Sequence, residues 1–115
     1  YWDYDAPVTK ETPRDVSAAS VTASAMIELS TMVPDGQKYL DYAEKILKSL
    51  SSDAYLAKVG DNQGFILMHS VGSLPNGSEI DTPLNYADYY YLEALKRFME
   101  LKKLKVENGE LRVIQ

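Results

Sequence analysis

The stretch that most constrains this chain is Arg14 to Val33, RDVSAASVTASAMIELSTMV, which reads as a helix with almost no wet face. Val16, Val21, Met26, Ile27 and Leu29 fall on several sides, and between them lie Ser17, Ala18, Ala19, Ser20, Ala23, Ser24 and Ala25. Small side chains let a neighbouring helix backbone come close. A helix that is apolar nearly all round is buried on most sides. Asp15 suits the N-cap, and Pro13 is tolerated just ahead of a helix start. Such a helix belongs on the inside of a larger helical layer.

Pro34-Asp35-Gly36 has turn chemistry, and Gln37 to Leu50 reads as a second helix of a different kind. Tyr39, Tyr42, Ala43, Ile46, Leu47 and Leu50 make one apolar stripe; Lys38, Asp41, Glu44, Lys45 and Lys48 make the opposite face. One helix buried on most sides, followed by one wet on one side, is the alternation of stacked helical hairpins. A third helix is expected from the tyrosine-rich run EIDTPLNYADYYYLEALKR, Glu79 to Arg97, continuing to about Leu101. Ala87, Tyr90, Tyr91, Ala94, Leu95 and Phe98 repeat at helical spacing, with Asp81 and Thr82 as acceptors before Pro83. This reads as a second inner helix.

Residues 51–85 form a long link with four glycines and Pro75, in which Gly64 to Met68 is expected to pair as a short strand. Links of this length are often functional. Asn108-Gly109 between Leu104, Val106 and Leu111, Val113 predicts a short hairpin over Lys103 to Gln115. The fold class is therefore all-α, with inner, outer and inner helices, a long loop and a short C-terminal β-hairpin.

Composition narrows the functions. With 45% hydrophobic and 25% charged residues the chain is globular, and 115 residues suit one domain. A net charge of −5 disfavours nucleic acid and anionic membranes as partners, because both need a basic field. No cysteine is present, so disulfides, thiolate zinc sites and a cysteine nucleophile are excluded. The chain opens on Tyr1-Trp2 rather than Met, which reads as a cut or processed piece.

His69 is the single histidine, in MHSVG, and no HExxH-like spacing accompanies it. His69-Ser70 lacks the strand–Gly-x-Ser-x-Gly–helix setting of a nucleophile elbow. Carboxylates cluster near loop-to-helix junctions: Asp3, Asp5, Asp15, Glu79, Asp81 and Asp88. Taken singly, Asp15 reads as a cap and Asp88 as a partner of the helix dipole. If both inner helices are fed from the same rim, residues 1–13, His69 and residues 79–83 share one mouth. Trp2, Asp3, Arg14, Asp15, His69 and Asp81 are then candidate substrate-binding residues, with Arg14 suited to a carboxylate by its planar fork.

The runs WDYDAP, PRDVSAASVTASAMIELS, YLDYAEKILKSL and FILMHSVGSLPNGSEIDTPLNYADYYYLEALKR resemble the C-terminal portion of the unsaturated glucuronyl hydrolases, glycoside hydrolase family 88, over residues 1–98. The resemblance implies an (α/α)6 barrel, of which residues 1–115 are the C-terminal segment of a single domain. It implies release of an unsaturated uronic acid from lyase-generated oligosaccharides by hydration of the C4=C5 double bond, with no cofactor and no metal. The family's catalytic aspartates match nothing here, so no catalytic residue is assigned. The implied partners are the unsaturated oligosaccharide and either the remaining part of the barrel or a second copy meeting exposed helix faces. A bacterial cytoplasm or periplasm is the implied compartment. Two other readings are a non-catalytic helical binding module and a related unsaturated rhamnogalacturonyl hydrolase acting on pectin fragments.

Overall fold

Three helices and a small sheet account for the fold of the computed structural model, which describes residues 1–107, with side chains through 103. In chain order they are α1 (Val16–Ser30), α2 (Gly36–Leu50), a 3-10 turn (Asn62–Gly64), β1 (Ser70–Ser73), β2 (Ser78–Thr82) and α3 (Asn85–Glu107). α1 is shorter at both ends than its composition predicts. It begins after Asp15, whose carboxylate accepts the Ser17 N–H at 3.0 Å and the Ser17 hydroxyl at 2.6 Å. It closes at Thr31, whose N–H reaches the Glu28 carbonyl at 3.1 Å. Buried Ser20 returns its hydroxyl to the Val16 carbonyl at 2.7 Å, which satisfies it without a tertiary partner.

α1 packs against both α2 and α3, which meet each other only marginally. The core joins Val16, Ala23 and Ile27 of α1 to Leu40, Ala43, Leu47 and Leu50 of α2 and to Ala87, Tyr91 and Ala94 of α3. Ala23, Ala43, Ala87 and Ala94 have no exposure, so the backbones approach through alanine. The α1–α2 turn depends on Gly36: a Cβ there would stand 1.9 Å from the Ser30 carbonyl oxygen. The residue instead opens α2, one position before the expected start.

The all-round apolar character of α1 has a structural counterpart. Val21 and Leu29 remain exposed on α1 and Met32 just beyond its end, and Tyr86, Tyr89, Leu92 and Met99 remain exposed on α3. Two apolar stripes thus face outward. On α2 the expected division into apolar and charged faces is present, except that Tyr42 is exposed.

The link departs from expectation. Residues 64–68 form no strand; Leu67 makes a single bridge to Leu56. The strands lie further on, and β1 pairs antiparallel with β2. Asp81 and Thr82 belong to β2 rather than serving as helix-start acceptors, and α3 begins at Asn85. Asp88 does more than complement the helix dipole. Its two oxygens each accept a backbone N–H at 2.9 Å, from Ile66 and from Leu67, and so hold the link against α3. α3 continues through Glu107, across the first residues of the expected C-terminal hairpin. Leu95, Phe98 and Leu101 keep helical spacing against the core, and this overrides the alternation further along. The rest of that expectation, residues 108–115, lies outside the described residues.

Candidate functional site

The hairpin carries the site because its pairing is irregular. Ser70 opposes Thr82 and Val71 opposes Ile80, so Asp81 is one residue too many on β2. Such a bulge bends the strand and re-aims a side chain. Asp81 takes φ 50° and His69, just before β1, takes φ 71°, both in the left-handed region that side chains seldom adopt. The product of these two conformations is a pair: His69 Nδ1 meets Asp81 Oδ1 at 2.5 Å. Further along, Gly72 is required, because a Cβ there would stand 2.7 Å from the Glu79 Cβ.

The hairpin is tied to the start of α1. The Val16 N–H donates to the His69 carbonyl at 3.0 Å, and the Val71 N–H donates to Asp15 Oδ1 at 3.2 Å. Arg14, next to the cap, donates to the Tyr55 hydroxyl at 2.9 Å and to the Tyr1 hydroxyl at 3.3 Å. Its guanidinium carbon lies 4.8 Å from the centre of the Tyr1 ring, a cation–π arrangement. Tyr55 meets His69 edge-on with centroids 6.2 Å apart. Tyr1, Arg14, Tyr55, His69 and Asp81 therefore form one connected line drawn from the loop before α1, the link after α2, and β2.

An open cleft of about 630 Å³ runs beside this line, lined by Lys10, Pro13, Arg14, Tyr55, His69 and Asp81 among others. Its walls offer two cations, an imidazole, the carboxylates of Glu11 and Asp81 and an aromatic ring, a mixture suited to a polar, charged ligand. Of the sequence candidates, Arg14, His69 and Asp81 meet here. Trp2 lines a neighbouring depression that shares Glu11, Thr12 and Pro13 with the cleft, and its N–H is held by the Pro13 carbonyl at 3.1 Å. Asp3 turns back on its own loop, accepting the Asp5 N–H at 2.7 Å. Asp15 lines a smaller cavity, about 150 Å³, which shares Tyr1, Arg14 and Tyr55. One Asp15 oxygen already serves the Ser17 N–H, the Ser17 hydroxyl and Val71. Tyr55 is the member that sequence reasoning missed; in SSDAYLAKVG no motif or spacing marks it.

Tyr86 stands where α3 approaches the α1 cap. Partial burial, reinforced by the Asp15 and Glu79 carboxylates, pushes its phenol above the usual range. Among the described residues no group of three or more histidine, aspartate or glutamate side chains converges as a metal would require. A second polar cluster, far from the cleft in sequence, joins Ser24 and Glu28 of α1 to Glu93 and Arg97 of α3.

No family model matches the chain. Individual proteins do. An unsaturated glucuronyl hydrolase of Formosa agariphila is 48% identical over 101 residues, covering 88% of this chain and 25% of that protein. A crystal structure of an unsaturated glucuronyl hydrolase specific for heparin superposes with a TM-score of 0.85 at 68% identity, over 89% of this chain and 28% of the other. The chain belongs with the unsaturated glucuronyl hydrolases. It spans about a quarter of the length of the relatives it matches. The unsaturated glucuronyl hydrolase of Streptococcus agalactiae superposes with a TM-score of 0.77 at 31% identity, over 85% of this chain and 25% of the other. Unsaturated glucuronyl hydrolases are α/α barrels, and α1, α2 and α3 are successive helices of that architecture.

Proposed function

We propose that this chain is the C-terminal part of a glycoside hydrolase that releases unsaturated uronic acid from lyase-generated oligosaccharides. The observation that carries the reading is the likeness to the heparin-specific glucuronyl hydrolase, 68% identical at a TM-score of 0.85. In the reaction, a carboxylic acid protonates C4 of the C4=C5 vinyl ether. Water adds its hydroxyl at C5, and the resulting hemiketal opens to free the sugar. The proton donor lies outside these residues. What this segment supplies is one wall of the sugar site, with Arg14 set to face the uronate carboxylate. His69 and Asp81 line the same cleft, Trp2 and Asp3 stand on the adjoining loop, and Asp15 holds loop and hairpin in place.

The outward apolar stripes on α1 and α3 support the view that residues 1–115 are part of one barrel domain, whose other helices cover those faces. A self-standing binding module has no use for them.

The test is turnover of an unsaturated disaccharide, followed by the loss of ultraviolet absorbance of its conjugated double bond. The residues set within a chain of the relatives' full length are expected to hydrolyse it, and the 115-residue chain alone is not. Absence of turnover in the longer chain overturns the hydrolase reading; turnover by the short chain overturns the assignment of the proton donor elsewhere.

A further inference from the structure

We infer that His69 presents Nε2 as the acceptor for a hydroxyl of a bound acidic sugar, and that Asp81 is the positioning residue that fixes the imidazole for this role. The inference deepens the hydrolase reading and rests on it for the ligand class.

The argument begins with the proton. An ionised carboxylate only accepts hydrogen bonds. The 2.5 Å contact with Asp81 Oδ1 therefore puts the imidazole hydrogen on Nδ1. In a neutral imidazole the other nitrogen is then an acceptor. Nε2 has no hydrogen-bond partner among the described residues, while the ring lines the cleft and is 44% exposed. The neutral tautomer thus offers Nε2 as an acceptor, and the ring's exposure leaves it open to a ligand.

The backbone shows that this arrangement is not a by-product of regular pairing. A plain antiparallel register leaves no extra residue; the bulge supplies Asp81, and both partners hold left-handed φ values of 71° and 50°. Strained non-glycine residues persist only where the surroundings over-determine them, and they gather at ligand sites. Here the surroundings are the Val16 N–H on the His69 carbonyl and Asp15 on the Val71 N–H. Tyr55 supports the ring from its edge and also carries Arg14 at 2.9 Å. One aromatic side chain thus spaces a cation from an acceptor. A sugar with a carboxylate for Arg14 and a hydroxyl for His69 matches that pairing, whereas a plain anion leaves the acceptor unused.

Four proteins separate this role from simple structural support, each made within a chain of the relatives' full length: unaltered, H69N, H69Q and D81N. Asparagine tolerates the left-handed backbone and keeps a donor near Nδ1 for Asp81, but has nothing at Nε2. Glutamine places a carbonyl near Nε2 but gives up the Asp81 contact; Gln63 shows that this chain accommodates glutamine at φ 57°. For H69N we expect KM for an unsaturated disaccharide to rise about three- to tenfold with kcat within about twofold, the loss of one hydrogen bond. D81N and H69Q, which weaken or give up the Asp81 contact but keep an acceptor near Nε2, are each expected to raise KM about two- to fivefold, less than H69N. Urea midpoints identify any variant whose fold is damaged, and H69N, with the gentlest change, decides. A folded H69N with unaltered KM overturns the inference. Calorimetric titration of the same disaccharide keeps the two readings distinct: binding that weakens in H69N without any turnover in the unaltered protein supports the His69 role while the hydrolase reading fails. Equal affinity of H69N and unaltered protein overturns the role in either case.

Discussion

The Ser24 hydroxyl donates to the Glu93 carboxylate at 2.5 Å, across the seam between α1 and α3. Arg97 closes the group, donating to the Ser24 carbonyl at 3.1 Å and standing 3.4 Å from Glu93 and 3.3 Å from Glu28. The alanines bring the two helices close, and this cluster fixes their register.

Glu93 gives that seam an acid sensitivity. The Ser24 hydroxyl holds its carboxyl below the ordinary value of 4.5; burial opposes this, and Arg97 adds a smaller lowering. A depressed folded pKa means that the stabilisation is present above the unfolded value and lost as pH falls through the folded one. Ser24→Ala is expected to cost about 1 kcal/mol at pH 7, and less below about pH 4. Urea unfolding at the two pH values measures the difference; an equal cost at both argues against Glu93 as the origin.

Gly36→Ala is expected to destabilise by about 1–3 kcal/mol, the usual range for forcing an extra group into a packed site. The obstacle is backbone, the Ser30 carbonyl, and cannot swing aside as a side chain would. A thermal midpoint unchanged within error contradicts this packing.

Asp88→Ala leaves the N–H groups of Ile66 and Leu67 without their acceptors, beside a Leu67 side chain that is fully buried. A loss of about 2–3 kcal/mol is expected. Asp88→Asn, which keeps one acceptor, is expected to lose about half of it. Amide hydrogen exchange locates the effect, since these two amides lose protection ahead of the α1–α2 seam.

The exposed stripes predict self-association of the 115-residue chain in dilute solution. Val21→Glu with Leu92→Lys puts charges on both stripes, and light scattering is expected to show a shift toward the monomer. An unaltered chain that is already monomeric and binds no hydrophobic dye speaks against it.

Helices were legible in the sequence because their signals are local and repeated. Asp15 as cap follows from its residue type at a helix start, and the stripe of α2 and the tyrosine spacing of α3 follow from 3.6-residue periodicity. The hairpin was not legible, since Ser70–Ser73 and Ser78–Thr82 are short and mostly polar. They are held by a bulge and by Asp15 rather than by alternating burial. The same limit applied to Asp81, whose place before Pro83 reads as a cap but whose extra position in β2 turns it to His69. Topology put Arg14, His69 and Asp81 at one mouth, and the structure brings them there. Tyr55 and the reach of Asp88 across 21 and 22 residues depend on the tertiary path alone.

The bond from the Val71 N–H to Asp15 joins residues 56 positions apart, and the whole of α2 lies between them. Closing so long a loop costs entropy before any contact repays it. The cleft is accordingly expected to assemble after the α1–α2 pair, whose contacts close shorter loops. By the same reasoning, a partial unfolding that frees the hairpin is expected to dissolve the His69–Asp81 wall while α1 and α2 are still docked. In this chain the cleft wall is expected to be less durable than the α1–α2 pair beneath it.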